Sequence, residues 1–341
     1  MSQKNQDFEQ REIEYAKSIE PYLSGILDIE DDFFAKVLNR NSDFVFDKTE
    51  FAFIVSNDDL EWIMDDFVST MMGESEYARR FLQVLNLENP RVKVNYTLGD
   101  VDSESVRTGV WKAGKNVYLE TPIAFDCLDD DTYLTTFHHI ATAMHEVAHT
   151  LNECNSSNEK LEPKLWESVE VESLFVENLF YLYLSQFAGR VAERIASGKD
   201  GERVTKSQIE DWVKSANEAN HFDLYGRTAG VMIPEVIPEM EEKPFAARYV
   251  IGEVYAKCLI EEFKRNPRET IEKYHDFVRN NAGIESFDEL ASVLFPQKIL
   301  NEKFNSVTQG SQPRDPHDVV VKYYGEIIEN EIGKSHQNQG E

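Results

Sequence analysis

Two histidines and a glutamate stand close together near the middle of the chain, in the segment His145-Glu146-Val147-Ala148-His149. In a helix, residues four positions apart project from the same face, about one turn from each other. His145 and His149 would then offer two imidazole nitrogens to one divalent metal ion. Glu146 would emerge beside them, where a carboxylate can take a proton from a water molecule. The spacing therefore predicts a metal site with its own general base.

The sequence around these residues is typical of a buried helix. Ala141–Leu151 contains no glycine or proline, and its one charged residue is Glu146. A solvated helix would carry more charge. A motif this short also arises by chance, so the alternative is a core helix whose histidines are satisfied by backbone groups or water. The flanking residues favour the metal site over that alternative.

A third ligand is expected further along the chain, because catalytic zinc generally takes three protein ligands and one water molecule. Leu165–Tyr181 has no glycine or proline and is apolar on one side, which predicts a second helix. Four acids in this segment compete for the ligand role: Glu167, Glu170, Glu172 and Glu177.

The spacing of these acids favours one of them. Glu170, Ser173 and Glu177 recur at steps of three and four residues and so share one helix face. A carboxylate on a buried face needs a partner such as a metal ion, because an unpaired buried charge is very costly. Glu170 is favoured as the ligand by this face argument together with the family resemblance described next, and Glu167 and Glu172 are expected on a solvated face.

The two motifs resemble those of the gluzincin metallopeptidases, and in particular the thimet oligopeptidase and oligoendopeptidase F family. Members of that family carry His-Glu-x-Gly-His and, on a second helix, Glu-x-x-Ser-x-x-x-Glu, which this chain matches from Glu170 to Glu177. The resemblance implies one Zn²⁺ per chain, bound by His145, His149 and Glu170. It also implies that Ser173 and Glu177 orient those ligands. The carboxypeptidase Taq family is similar in the same motifs and is an alternative.

The resemblance also implies a fold and an activity. The expected fold is mainly α with a small β-sheet, a zincin-like, oligopeptidase-type helical architecture that is shortened relative to typical members. The expected activity is hydrolysis of peptide bonds in oligopeptides, with Glu146 as general base. The similarity covers about residues 105–300, and it departs from the family pattern at Ala148, usually glycine, and at Asn152, often histidine. Two further alternatives are a non-catalytic peptide-binding module on the same fold and an interaction protein with a fortuitous motif.

Residues upstream of the metal motif are candidates for substrate binding. Thr108–Trp111 and Asn116–Leu119 predict two strands joined by a turn. In the family that this chain resembles, an edge strand here pairs with the substrate backbone. Gly109 and Trp111 are therefore candidate substrate-binding residues, and the alternative is an ordinary hairpin with no ligand.

Downstream residues are candidates for transition-state and substrate contacts. Tyr249 lies in a segment that resembles the family segment bearing an oxyanion-stabilising tyrosine. The alternative is that Tyr249 is a core residue. His221 and Tyr225 could replace a family histidine that this chain lacks. For a carboxypeptidase, several arginines could bind the terminal carboxylate, among them Arg227 and Arg248, and none of them stands out.

The charge and the cysteines limit the partners and the compartment. Asp and Glu number 63 against 35 Lys and Arg, which gives a formal net charge of −28. Such a chain is expected to bind neither nucleic acid nor anionic membranes, and peptides are the expected partners. The three cysteines are widely spaced and the first residues lack a signal pattern, so we expect a cytoplasmic protein. The oligomeric state is not indicated.

The expected organisation has three parts. Residues 1–90 form an N-terminal helical region, residues 91–304 a zincin-like catalytic domain, and residues 305–341 a linker, a C-terminal helix and a tail. Within these parts the metal-binding helix is expected over Thr132–Asn152 and the glutamate helix over Lys164–Ser197. The first helix is expected to break between Pro21 and Gly25.

Overall fold

Helices dominate the computed structural model, and two small sheets complete it. The structure describes residues 3–38, 51–100, 108–113, 115–155, 165–232, 242–295, 299–301 and 315–337. The helices are α1 Gln3–Phe33, α2 Asn57–Met72, α3 Glu76–Leu85, α4 Phe137–Asn155, α5 Val169–Ala192, α6 Lys206–Met232, α7 Glu242–Arg265, α8 Pro267–Asn280, α9 Phe287–Leu294 and α10 Pro316–Gln337. The strands are β1 Phe53–Ser56, β2 Val92–Leu98, β3 Gly109–Ala113, β4 Asn116–Ala124, β5 Asp126–Asp129, β6 Thr132–Thr135 and β7 Ser197–Gly198. The predicted mainly α fold with a small sheet component is confirmed.

The two sheets differ in strand direction. One has the order β5-β6-β1-β7 and is antiparallel throughout. The other has the order β2-β4-β3, with β2 parallel and β3 antiparallel to β4. Trp111 pairs with Tyr118 across β3 and β4, which confirms the two predicted strands. Strand β3 is an edge of its sheet.

Helix α4, which carries the two histidines, begins at Phe137, later than predicted. Thr132–Thr135 instead forms β6, whose β-branched and aromatic side chains suit a strand that pairs with β1. The hydroxyl of Thr136 accepts a hydrogen bond from the backbone N–H of His139 at 3.3 Å. Thr136 therefore satisfies a backbone donor at the start of this helix.

Helix α5 lies at the centre of the molecule, in contact with α4, α6 and α7. It is shorter than predicted, since Ser197 belongs to β7. Helix α7 approaches α5 most closely at Gly252, where a Cβ atom would lie 2.8 Å from the Cβ of Glu170. A glycine is required here because any larger residue would collide with the helix that carries the predicted third ligand.

The terminal helices pack onto this centre. Helix α1 contacts α6 and α10, and it continues through Pro21, so the predicted break is wrong. Leu23 and Ile26, which follow the proline, are fully buried, and their packing offsets the lost backbone hydrogen bond. The predicted division at residues 90 and 304 stays a prediction, and most of the predicted linker lies outside the described residues. Among the described helices, none combines the length and the apolar content needed to cross a bilayer.

Candidate metal centre

Side chains from α4 and α5 converge on one point. The Nε2 atoms of His145 and His149 lie 3.4 Å and 3.3 Å from the same oxygen, Oε2 of Glu170. The ligand atoms of these three residues all lie within 4.8 Å of one another. The structure therefore brings together His145, His149 and Glu170, the three ligands expected from the sequence, as a candidate metal-binding triad.

The distances fit a tetrahedral divalent ion. Zinc binds histidine nitrogen and carboxylate oxygen at about 2.0 to 2.1 Å, so two ligand atoms at tetrahedral corners lie about 3.3 Å apart. The nitrogen-to-oxygen distances of 3.4 Å and 3.3 Å agree with that separation. Two imidazoles and one carboxylate leave the fourth corner for water or substrate, as in catalytic sites.

Further residues of α5 hold the candidate ligands in place. Ser173 donates its hydroxyl hydrogen to Oε2 of Glu170 at 3.1 Å. Oε2 of Glu177 lies 3.1 Å from Nδ1 of His145, so the Nε2 atom of that ring is left to face a metal ion. These contacts agree with the orienting roles expected for Ser173 and Glu177, roles that are still predictions.

The electrostatics of the triad favour a positive charge between its members. Burial alone lowers the pKa of His145, but contacts with Glu170 and Glu177 outweigh it and raise that pKa to about 10. Burial raises the pKa of Glu170, but His149 and His145 outweigh it and hold that pKa well below its usual range. A divalent cation would satisfy the same carboxylates while the imidazoles bind it in their neutral form.

Glu146 stands beside the triad and is shielded from solvent. Its side chain is buried, and it borders a cavity of about 240 Å³ together with His145. Burial raises the pKa of Glu146, and the neighbouring histidines oppose that rise. A carboxyl with a raised pKa is a stronger base, which suits it to accept a proton and later to return it.

Tyr249 borders the same cavity from α7. Its ring is nearly parallel to that of His145, with the ring centres 6.5 Å apart, and the guanidinium carbon of Arg227 lies 4.6 Å from the centre of the Tyr249 ring. Burial, followed by the charges of Glu170 and Glu146, raises the pKa of Tyr249, which keeps the phenol protonated. Tyr249 is half-buried, and it packs against the core while it borders the cavity. Its protonated phenol is a candidate hydrogen-bond donor there, and its role in catalysis stays a prediction.

Helix α6 supplies cavity residues that the sequence did not single out. Asn220, Asp223 and Leu224 border the cavity, with Glu253 facing them from α7. His138 borders it from α4, two turns before Glu146. The only available signal was their spacing on a helix, and nothing in the sequence shows which face of α6 meets the metal centre.

Four candidate substrate-binding residues lie outside the lining of this cavity. Gly109 follows Thr108, which does border it, whereas Trp111 stacks on Tyr118 with ring centres 5.6 Å apart. His221 is buried between Glu30 and Glu331, and Tyr225 stacks on Phe34. The structure therefore does not bring the last two residues to the metal centre. Residue 221 points away because it is one position from Asn220 on the helix, about 100° around the axis.

The expectation of a solvated face for Glu172 is wrong. This residue has 0% exposure, and its Oε1 accepts a hydrogen bond from Nδ2 of Asn281 at 2.6 Å. Burial raises the pKa of Glu172 well above its usual range, only partly opposed by Asn281, which favours the neutral acid. Glu167 is half-buried rather than solvated, and its Oε1 accepts from the hydroxyl of Tyr15 at 3.4 Å. Helix α5 is enclosed on most sides, so it has no solvated face at this end.

A comparison with solved structures finds distant similarity. A carboxypeptidase of Pyrococcus furiosus aligns over 95% of this chain and 76% of its own length, with 12% sequence identity and a TM-score of 0.34. A likeness at this level carries no argument about fold or chemistry. No protein-family model matches the chain, and no curated protein matches it.

Proposed function

We propose that this chain is a zinc-dependent peptidase that hydrolyses peptide bonds in oligopeptides. The observation that carries the proposal is the convergence of His145, His149 and Glu170, with Glu146 bordering the same cavity. Two imidazoles, one carboxylate and an open corner form a donor set that suits catalytic zinc. The matching distances and the resemblance of both motifs to the oligoendopeptidase F family support this assignment.

Each residue of the site has a distinct role in the proposed hydrolysis. Zinc at this site would supply a Lewis acid that polarises the scissile carbonyl and lowers the pKa of water. Glu146 accepts the proton of the attacking water and passes it to the leaving amine. The phenol of Tyr249 donates a hydrogen bond to the oxygen on which negative charge develops. Glu177 keeps the ring of His145 in its binding orientation.

The proposal is tested with Glu146→Gln. This variant keeps the triad, so we expect it to bind zinc as the wild type does, while cleavage of fluorogenic peptides falls by about 10²–10⁴-fold. Glu153→Gln, on the same helix but outside the cavity lining, serves as the matched control and should retain activity. Zinc content is measured by elemental analysis, and a chelator should abolish the wild-type activity. Undiminished turnover by Glu146→Gln would refute the proposal.

A second candidate is cleavage from the C-terminus, and one observation favours it. Apart from the histidines, Arg227 is the one basic side chain that borders the cavity within the described part of the chain, whereas Arg248 does not border it. A guanidinium binds a carboxylate through two parallel hydrogen bonds. Peptides with a free C-terminus and the same peptides with a C-terminal amide separate the two modes. Carboxypeptidase action requires the free carboxylate and releases single residues, whereas endopeptidase action cleaves both sets internally.

The partners and the compartment follow from composition. We propose peptides as the substrates, and basic peptides would be attracted by the net charge of −28. Cys127, Cys154 and Cys258 are free thiols, which suits a reducing compartment such as the cytoplasm.

A further inference from the structure

A tyrosine lies directly behind the carboxylate that contacts His145. The hydroxyl of Tyr181 donates a hydrogen bond to Oε1 of Glu177 at 2.8 Å, and the other oxygen of Glu177 lies 3.1 Å from Nδ1 of His145. Tyr181 is 2% exposed and does not border the metal cavity. Tyr181, Glu177 and His145 therefore form one chain of contacts, which leads from a buried tyrosine of α5 to a candidate metal ligand.

The geometry limits what Tyr181 can do. A glutamate side chain has several rotamers, and a carboxylate held at one oxygen can still turn about its last bond. A donor on the second oxygen removes that freedom, so the first oxygen stays directed at the imidazole. The ring of Tyr181 is itself held by an edge-on contact with Trp212, with ring centres 5.8 Å apart. The packing of the ring therefore fixes the position of the Tyr181 hydroxyl.

The spacing along α5 agrees with this arrangement. Glu170, Ser173, Glu177 and Tyr181 follow one another at steps of three, four and four residues and so share one face. Each of the first three contacts the triad or belongs to it, and Tyr181 extends the same face by one turn.

We propose that Tyr181 is a positioning residue of the metal centre, which acts through Glu177 to hold His145 in the orientation that binds the ion. This inference rests on the proposed function, because it presupposes that the triad binds a metal. Residues that orient metal-binding histidines affect metal affinity by about 10–100-fold, and Tyr181 lies one contact further out. We therefore expect an effect at the lower end of that range.

The test compares two buried tyrosines of one helix. Tyr181→Phe removes the hydroxyl behind Glu177, and Tyr183→Phe removes a hydroxyl that donates to Asp66 at 2.6 Å, outside the metal centre. Both variants lose one hydrogen bond to a carboxylate, so a general effect on packing would appear in both. Zinc affinity is measured by competition with a chromophoric chelator, and the visible spectrum of the cobalt-substituted protein reports the ligand geometry.

We expect Tyr181→Phe to weaken zinc binding about tenfold and to change the cobalt spectrum, while Tyr183→Phe leaves both at the wild-type values. In a Glu177→Ala background, Tyr181→Phe should have no further effect on zinc affinity, because the carboxylate through which Tyr181 acts on His145 is gone. Wild-type zinc affinity in Tyr181→Phe, or an equal loss in both backgrounds, overturns the inference alone. Absence of zinc binding by the wild-type chain overturns the proposed function together with it.

Discussion

The close approach of α7 to α5 at Gly252 offers a direct test of how the metal centre is built. A Cβ atom at this position would lie 2.7 Å from Cδ1 of Leu174, 2.8 Å from the Cβ of Glu170 and 2.9 Å from its backbone carbonyl carbon. Carbon atoms attract one another at about 3.5 to 4.0 Å and repel strongly below that. Leu174 can rotate away, but the backbone of Glu170 cannot. Gly252→Ala must therefore push the two helices apart by several tenths of an ångström.

Two effects of opposite sign determine how much Gly252→Ala changes the free energy of unfolding. Alanine stabilises a helix interior by about 0.8–1.0 kcal/mol relative to glycine. Overpacking of a well-filled core costs about 1–3 kcal/mol. The collision involves backbone atoms at a buried site, so we expect the second effect to win, with a net loss of about 0.5–2 kcal/mol in the free energy of unfolding. Because the displaced helix also carries Tyr249 and the collision is with Glu170 itself, zinc affinity should fall about tenfold, or ~1.4 kcal/mol.

Gly226→Ala is the matched control. Gly226 lies inside α6 and is exposed, and a Cβ atom there would meet nothing within 4 Å. Its substitution should therefore stabilise the protein by up to about 1 kcal/mol. Urea denaturation of the two variants and the wild type gives the free energies, and chelator competition gives the zinc affinities. Equal stability changes in the two variants, with unchanged zinc affinity in Gly252→Ala, would refute the reasoning.

Two further substitutions test other contacts. Burial and Lys257 lower the pKa of His221, but Glu30 and Glu331 outweigh them and raise it above 6.5. Its ion pairs therefore stabilise the fold fully below about pH 6.5 and less as the pH rises through the folded-state pKa. His221→Gln should cost about 1–3 kcal/mol near pH 6 and less near pH 9 in urea denaturation, and a loss that does not vary with pH would contradict this. Ser173→Ala removes the hydroxyl that contacts Glu170 and should weaken zinc binding about tenfold without loss of secondary structure, as measured by chelator competition and circular dichroism, whereas unchanged affinity would exclude an orienting role.

Residue spacing predicted the members of the triad because each helix shows, by itself, which of its residues share a face. His145 and His149 are four residues apart, and Glu170 shares a face with Ser173 and Glu177. The same face argument, continued by one step, would have reached Tyr181. Residue spacing does not show that α4 and α5 are in contact. That expectation came from the resemblance to a known family.

Features that depend on the surroundings of a helix were missed. Glu172 looks like a surface acid, yet α5 is enclosed by α4, α6 and α7, and the partner of Glu172 is Asn281, from a segment far along the chain. Pro21 looks like a helix break, yet the packing of Leu23 and Ile26 carries α1 through it. Tertiary contacts override local preference in both cases.

The function of the cavity also depends on tertiary contacts that residue spacing does not reveal. Its chemistry is divided among α4, which carries Glu146, α6, which carries Arg227, and α7, which carries Tyr249. The motif on α4 indicates hydrolysis, but the choice between internal and terminal cleavage depends on how α6 and α7 close the cavity. At the cavity, the guanidinium of Arg227 lies over the ring of Tyr249 from the neighbouring helix, and its Nε donates to Asp223 on α6 at 2.7 Å. Under the proposed function, substrate selection depends on how α6 and α7 pack against each other, whereas the candidate metal ligands and the proposed general base lie on α4 and α5.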